Sequence, residues 1–236
     1  MLEFTRELIA TDSANPPGDE RAVAGMIVER LRELGIEDVE TMGPEVDRPS
    51  VIACVNGDSP GPHLILSGHI DTKPAGDMEA WKSDPWDPLV REGRLYGLGS
   101  GDMKAAVAAM IYAAAGLQGI GLPAGTLQLV LTADEEAGSV KGAKWMADQG
   151  LLSADAAIIG EPSGITTEWE ALHLVSRGAA LFRIVVRGTQ MHSSITDRLP
   201  SVNASVKMAE LMVRMNNELK DGITYAGHPL SELGPT

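Results

Sequence analysis

Two apolar runs in this chain end in residue types that can serve as metal ligands. Thr126-Leu127-Gln128-Leu129-Val130-Leu131-Thr132-Ala133-Asp134 leads into Glu135-Glu136, and His63-Leu64-Ile65-Leu66-Ser67-Gly68 leads into His69-Ile70-Asp71. Both runs read as strands, and carboxylates and imidazoles collected beyond strand ends are the raw material of a metal-dependent hydrolase. His69 and Asp71 fall on one side of an extended strand, where the aspartate can accept the second imidazole N–H and leave the other nitrogen for a metal. Alone this pair is a weak signal, because a histidine near a strand end is more often a structural hydrogen-bonding residue. Asp102 stands where Gly97-Leu98-Gly99-Ser100-Gly101 meets an Ala-rich stretch. It can cap a helix there or, as a carboxylate shared by two ions about 3.5–4 Å apart, offset their repulsion. Glu135 and Glu136 repel each other unless cations or a proton compensate them, so one suits a metal and the other suits taking a proton from water. Glu161 precedes Pro162 and is either a third strand-end carboxylate or a turn residue.

The elements that must position these groups follow from periodicity and turn chemistry. Leu2 to Ala10 has helical spacing and stops at Asn15-Pro16-Pro17-Gly18. A second helix starts from Asp19 as its cap, carries Val23, Ile27, Leu31 and Leu34 on one face, and ends at Gly35. Ser50 to Val55 and Leu64 to Ile70 read as strands, Leu89 to Tyr96 as a hairpin around Glu92-Gly93, and Asp102 to about Leu117 as a helix. Thr126 to Ala133 is a strand, Gly138 to Gln149 a helix, and Ala156 to Gly160 a short buried strand. Such alternation predicts an α/β fold with a mostly parallel sheet flanked by helices, whose ligands bind beyond the strand carboxyl ends. After about Leu174 the texture changes to a strand over Ala179 to Arg187 and an amphipathic helix over Ser201 to Leu219. The expected division is 1–174 for a metal-binding catalytic domain and 175–236 for a partial α+β domain.

Bulk properties narrow the function classes. With 236 residues, 44% of them apolar, the chain can bury a core. A net charge of -14 argues against nucleic acid and anionic membranes as partners, since both are bound through clustered Lys and Arg. The single cysteine, Cys54, excludes an internal disulfide and a thiolate-cage zinc site. The acidic start, Met1-Leu2-Glu3-Phe4-Thr5-Arg6-Glu7, is unlike a secretory signal, and the apolar run Ala105 to Leu117 is shorter than the roughly 20 residues that span a bilayer. A cytoplasmic location is the expectation. The glycines at 97, 99 and 101 match neither a dinucleotide fingerprint nor a phosphate-binding loop, and Ser100 and Ser193 lack the elbow of a serine hydrolase.

Four blocks together resemble a known family: Ser67-Gly68-His69-Ile70-Asp71-Thr72, Gly97-Leu98-Gly99-Ser100-Gly101-Asp102-Met103-Lys104, Asp134-Glu135-Glu136 and Gly160-Glu161-Pro162-Ser163. They are similar to the signature segments of the zinc amidohydrolase and exopeptidase family that contains acetylornithine deacetylase, succinyl-diaminopimelate desuccinylase, aminoacylase and glutamate-releasing carboxypeptidases. The resemblance implies that His69 and Glu161 hold one Zn2+, Glu136 the other, and Asp102 bridges them, with Co2+ or Mn2+ as alternative ions. It further implies that Asp71 orients His69 and Glu135 is the general base. Ser176-Arg177-Gly178, Val186-Arg187-Gly188, Met191-His192-Ser193-Ser194 and Val202-Asn203-Ala204 resemble the family's dimerisation or lid domain. That implies a homodimer in which His192 stabilises an oxyanion across the interface. Two departures stand out near Asp102: Leu98 replaces a common arginine, and Ala105-Ala106 a common glycine pair. The family's last zinc-ligand histidine is expected on a segment after Thr236, with the chain stopping inside the lid domain; His63, His173 and His228 are not expected to replace it.

These features predict a metal-dependent hydrolase of an N-acyl amino acid or small peptide, working as a deacetylase, desuccinylase or carboxypeptidase. The alternative is a non-catalytic or inactive fragment of the same fold, acting only in metal binding or association.

Overall fold

The computed structural model describes residues 1–164, 167, 172–174 and 181–219. The chain divides into two compact units, Met1–Ile165 and Thr166–Thr236. In the first, helices α1 (Leu2–Ala10) and α2 (Arg21–Glu33) precede strands β1 (Val39–Met42), β2 (Ser50–Asn56) and β3 (His63–His69). A hairpin, β4 (Leu89–Arg91) and β5 (Arg94–Tyr96), leads to helix α3 (Ala105–Ile120), and β6 (Thr126–Thr132), α4 (Ala143–Asp148) and β7 (Ala156–Ile159) complete the unit.

The central sheet has the order β1-β2-β6-β3-β7. β6, β3 and β7 are parallel neighbours, and β2 runs antiparallel to both β1 and β6. Four of the five strands therefore share one direction, and the expected mostly parallel α/β sheet is present with β2 reversed. Alternate residues face opposite layers. Val51, Ala53, Val55, Leu66, Leu127, Leu129 and Leu131 pack with Phe4 and Leu8 of α1, Ile27 and Leu31 of α2, and Val107 and Ile111 of α3. Ile52, Ile65 and Val130 pack on the other face with Met146 of α4. With the preceding turn, Ser100–Ile120 has the length and hydropathy of a membrane span, which the apolar run judged alone did not suggest; its Val107, Ala108, Met110, Ile111 and Ala114 belong to the core.

Several local expectations need correction. α2 begins one residue beyond Glu20, whose side chain is turned to Arg48 rather than capping the helix, and Asp19 pairs with Arg21. The Asp102 carboxylate does not cap α3, which starts at Ala105. The helix expected over Gly138 to Gln149 is only Ala143–Asp148, because Ser139 has φ 61° and Gly142 is pressed against the Ala133 carbonyl. All four residues of β7 are exposed, since it forms a sheet edge rather than a buried strand.

In the second unit, Asn203 caps α5 (Ala204–Arg214) by accepting the N–H groups of Ser205 and Val206, and the helix continues as a wider turn through Met215–Leu219. Residues 181–187 form no regular strand. Ala179, Ala180, Ser176-Arg177-Gly178 and His228 lie outside the described residues.

Candidate metal centre

Strand register explains why distant residues meet. Ser67 of β3 pairs with Ile159 of β7, and His69 pairs with Thr132 of β6. Because these three strands run in one direction, their next residues emerge at the same sheet edge. His69 ends β3, Glu161 follows β7 by two residues, and Glu135 opens the short helical turn Glu135–Ala137 after β6. Asp102 comes from the turn before α3. Met103, fully buried, lies against the ends of the β3 and β7 segments, its Sδ 3.2 Å from the His69 backbone N. A Cβ at Gly68 would meet its Cε at 2.5 Å, and one at Gly160 would meet the same atom at 3.0 Å. A side chain immediately before His69 or Glu161 would thus have to push the Met103 thioether aside.

The ligand atoms form two overlapping groups, His69–Asp102–Glu136 and His69–Glu135–Glu161, each with all atoms within 4.8 Å of one another. His69 Nε2 lies 2.8 Å from Asp102 Oδ1 and 3.5 Å from Glu161 Oε1. Its Nδ1 lies 3.0 Å from the Asp71 carbonyl oxygen and 3.4 Å from Asp71 Oδ1. Asp71 therefore orients the ring through its backbone at least as closely as through its carboxylate. That carboxylate accepts the N–H groups of Glu135 at 3.2 Å and Glu136 at 3.1 Å, and the Asn15 amide at 2.8 Å. Lys73 Nζ lies 2.8 Å from Glu136 Oε2 and also donates to the Glu136 carbonyl.

The electrostatics describe a cluster short of positive charge. Burial disfavours the His69 imidazolium, but hydrogen bonds to Asp71 and Asp102 and the charges of Asp71 and Glu161 outweigh it and push the pKa up to about 9. Burial pushes the Glu135 carboxyl above its usual range, opposed by His69 and reinforced by Glu136, Asp71 and Asp102. Glu161 is raised in the same way, by burial first and then by Asp102, Glu135 and Glu136. Asp71 goes the other way. Burial works against its charge, yet His69, Asn15 and the Glu136 N–H together hold its carboxyl low. One imidazole with four carboxylates, two of them raised first by burial and then by neighbouring acidic charge, is a donor set suited to divalent cations that accept N and O ligands.

Of the residues singled out in the sequence, His69, Asp71, Asp102, Glu135, Glu136 and Glu161 gather at this edge of the first unit. His192 belongs to the second unit, where its Nδ1 accepts the Ser194 N–H at 3.2 Å. Asn15, Glu20, Arg48 and Asp134, none of which sequence reasoning gave a role in the site, form a buried polar group behind the cluster. A buried glutamate at the start of α2 and an arginine between Asp47 and Pro49 gave little signal; Asn15 was legible only as part of a turn.

A profile of peptidase family M20/M25/M40 matches residues 65–226. The chain belongs to this family. Among its curated relatives is a succinyl-diaminopimelate desuccinylase of Stenotrophomonas maltophilia, 36% identical over 221 residues that cover 91% of this chain and 57% of that protein. A desuccinylase of Leptothrix cholodnii is 36% identical over 219 residues, covering 89% and 56%. The chain thus spans rather more than half the length of these relatives. Among solved structures, a tripeptidase of Staphylococcus aureus has a TM-score of 0.63 at 23% identity, covering 91% of this chain and 55% of its own. Human carnosine dipeptidase 1 has a TM-score of 0.55 at 23% identity, covering 67% and 37%. The family's fold is shared across these proteins.

Proposed function

We propose that this chain carries the metal-binding part of an amidohydrolase that cleaves an N-acyl amino acid or a small peptide through two divalent ions, zinc in the first instance. The observation that carries this reading is the convergence of His69, Asp102, Glu136, Glu135 and Glu161 into two ligand groups sharing one imidazole. His69, Asp102, Glu136 and Glu161 would hold the ions, with Asp102 between them. When bound, the ions supply Lewis acidity, polarising an amide carbonyl and easing deprotonation of water. Glu135, whose carboxyl is raised by burial and neighbouring charge, would take the proton from water and pass it to the departing amine. Asp71 keeps His69 in the tautomer that presents Nε2 to an ion. The names of the curated relatives favour an N-succinyl amino acid as substrate, and the peptidases of similar fold keep small peptides as the second class. His192, in the unit we assign to lid and dimer formation, would stabilise the oxyanion.

Metal uptake by the full chain tests the reading. Titration with Zn2+ or Co2+ should saturate the parent, and His69→Ala should take up one ion fewer, because Nε2 is the only ring nitrogen left free by Asp71. A folded parent that takes up neither ion, or a His69→Ala variant that binds like the parent, overturns the proposal.

A further inference from the structure

Behind the ligand cluster lies a chain of buried polar side chains that no ligand role explains. Arg48 is 3% exposed, Glu20 0%, Asp134 4%, Asn15 1% and Asp71 0%. Arg48 grips Glu20 with two hydrogen bonds of 2.7 Å and extends Nη2 to Asp134 Oδ1 at 3.0 Å. Asn15 Nδ2 then divides its two hydrogens, donating to the same Asp134 oxygen at 3.2 Å and to Asp71 Oδ2 at 2.8 Å. The other Asp134 oxygen accepts the Lys141 N–H at 2.9 Å. Gly18 lies flat against the guanidinium, where a Cβ would meet Arg48 Cζ at 2.4 Å.

We propose that Asn15, Arg48 and Asp134 form a positioning group that sets the Glu135–Glu136 turn against the His69–Asp71 pair. This inference rests on the metal-centre reading above. Asp134 is the pivot. It has φ 64°, a left-handed conformation that only a few non-glycine residues adopt, Asp and Asn among the more frequent. That conformation ends β6 and turns the next two residues, Glu135 and Glu136, toward the cluster, with their N–H groups on Asp71. Donors from three separate segments hold the Asp134 carboxylate: the loop after α1, the loop between β1 and β2, and the loop before α4. The pivot therefore cannot rotate without breaking buried hydrogen bonds, each expensive to leave unmade. Asn15 is the link that ties the pivot to Asp71, so the glutamates and the histidine share one frame. Its amide is the sole side-chain group that joins the two carboxylates among the described residues.

The full chain, stripped of ions, is titrated with Co2+ and followed by d–d absorption, while circular dichroism and thermal unfolding report the fold. Asn15→Ala and Asp134→Ala should each bind Co2+ about 10–100-fold more weakly with altered absorption, as loss of outer partners does elsewhere. The double variant should lose less than about 3-fold beyond the weaker single variant, because both substitutions cut one linkage. A merely structural group would lower the unfolding temperature and leave the affinity and spectrum of the folded protein as in the parent. That result, or single-variant losses that simply multiply in the double variant, overturns the inference. Should Asn15→Ala not fold, Arg48→Lys, which keeps the charge but not the fork, is read by the same criteria. A parent that binds no Co2+ overturns the metal-centre reading and this inference together, whereas a parent that binds beside unaffected variants overturns this inference alone.

Discussion

Glu135 keeps contact with solvent at the cluster although its carboxyl is partly desolvated, while Glu136, the next residue, has a side chain only 8% exposed and in contact with Lys73. Adjacent carboxylates thus occupy different environments, which suits one to moving a proton and the other to holding an ion. Glu135→Gln keeps the shape and removes the proposed base: steady-state assays on N-succinyl amino acids should show a kcat lower by about 10²–10⁴-fold, while Co2+ affinity stays within about 2-fold of the parent. His69 sets the pH behaviour. With a pKa of about 9 against 6.5 for a free imidazole, its bound proton stabilises the ion-free fold fully below pH 6.5, and this contribution is lost as pH rises through 9. Ions must displace that proton. Binding isotherms between pH 6.5 and 8.5 should therefore show affinity rising with pH while the ion-free chain becomes less stable over the same window.

At the scale of elements, the short bend between β6 and α4 carries Glu135 and Glu136 to the cluster. A Cβ at Gly142 would sit 1.8 Å from the Ala133 carbonyl oxygen, a backbone atom with nowhere to go. Gly142→Ala should cost about 3 kcal/mol, the upper end for overpacking, measured by urea unfolding. This bend also shows what the sequence could convey. The strands before His69 and Glu135 were legible because apolar runs of strand length end abruptly in ligands, and β3, β6 and β7 then needed only a common direction to unite them. The helix over Gly138 to Gln149 was overextended because composition does not reveal that Ser139 turns left-handed or that Gly142 touches Ala133. β1 was missed since Val39-Glu40-Thr41-Met42 has too few apolar residues to stand out. The Arg48 group was invisible for a related reason: its members lie in loops between elements, where no periodicity points to burial.

For the whole first unit, four carboxylates around one imidazole leave unbalanced negative charge that ions would neutralise, so binding should stabilise the fold. At 100 times its dissociation constant, Zn2+ contributes about 2.7 kcal/mol, which for a unit of this size raises the melting temperature by roughly 5–10 °C; thermal scans should show the gain and a chelator should erase it. Met103 gives this unit a further property. Gly68 and Gly160 both rest on one flexible thioether side chain, so a different side chain there would reset the gap between the two segments that carry His69 and Glu161. Preference among cations of different radius would then be adjustable at a residue outside the proposed ligand set.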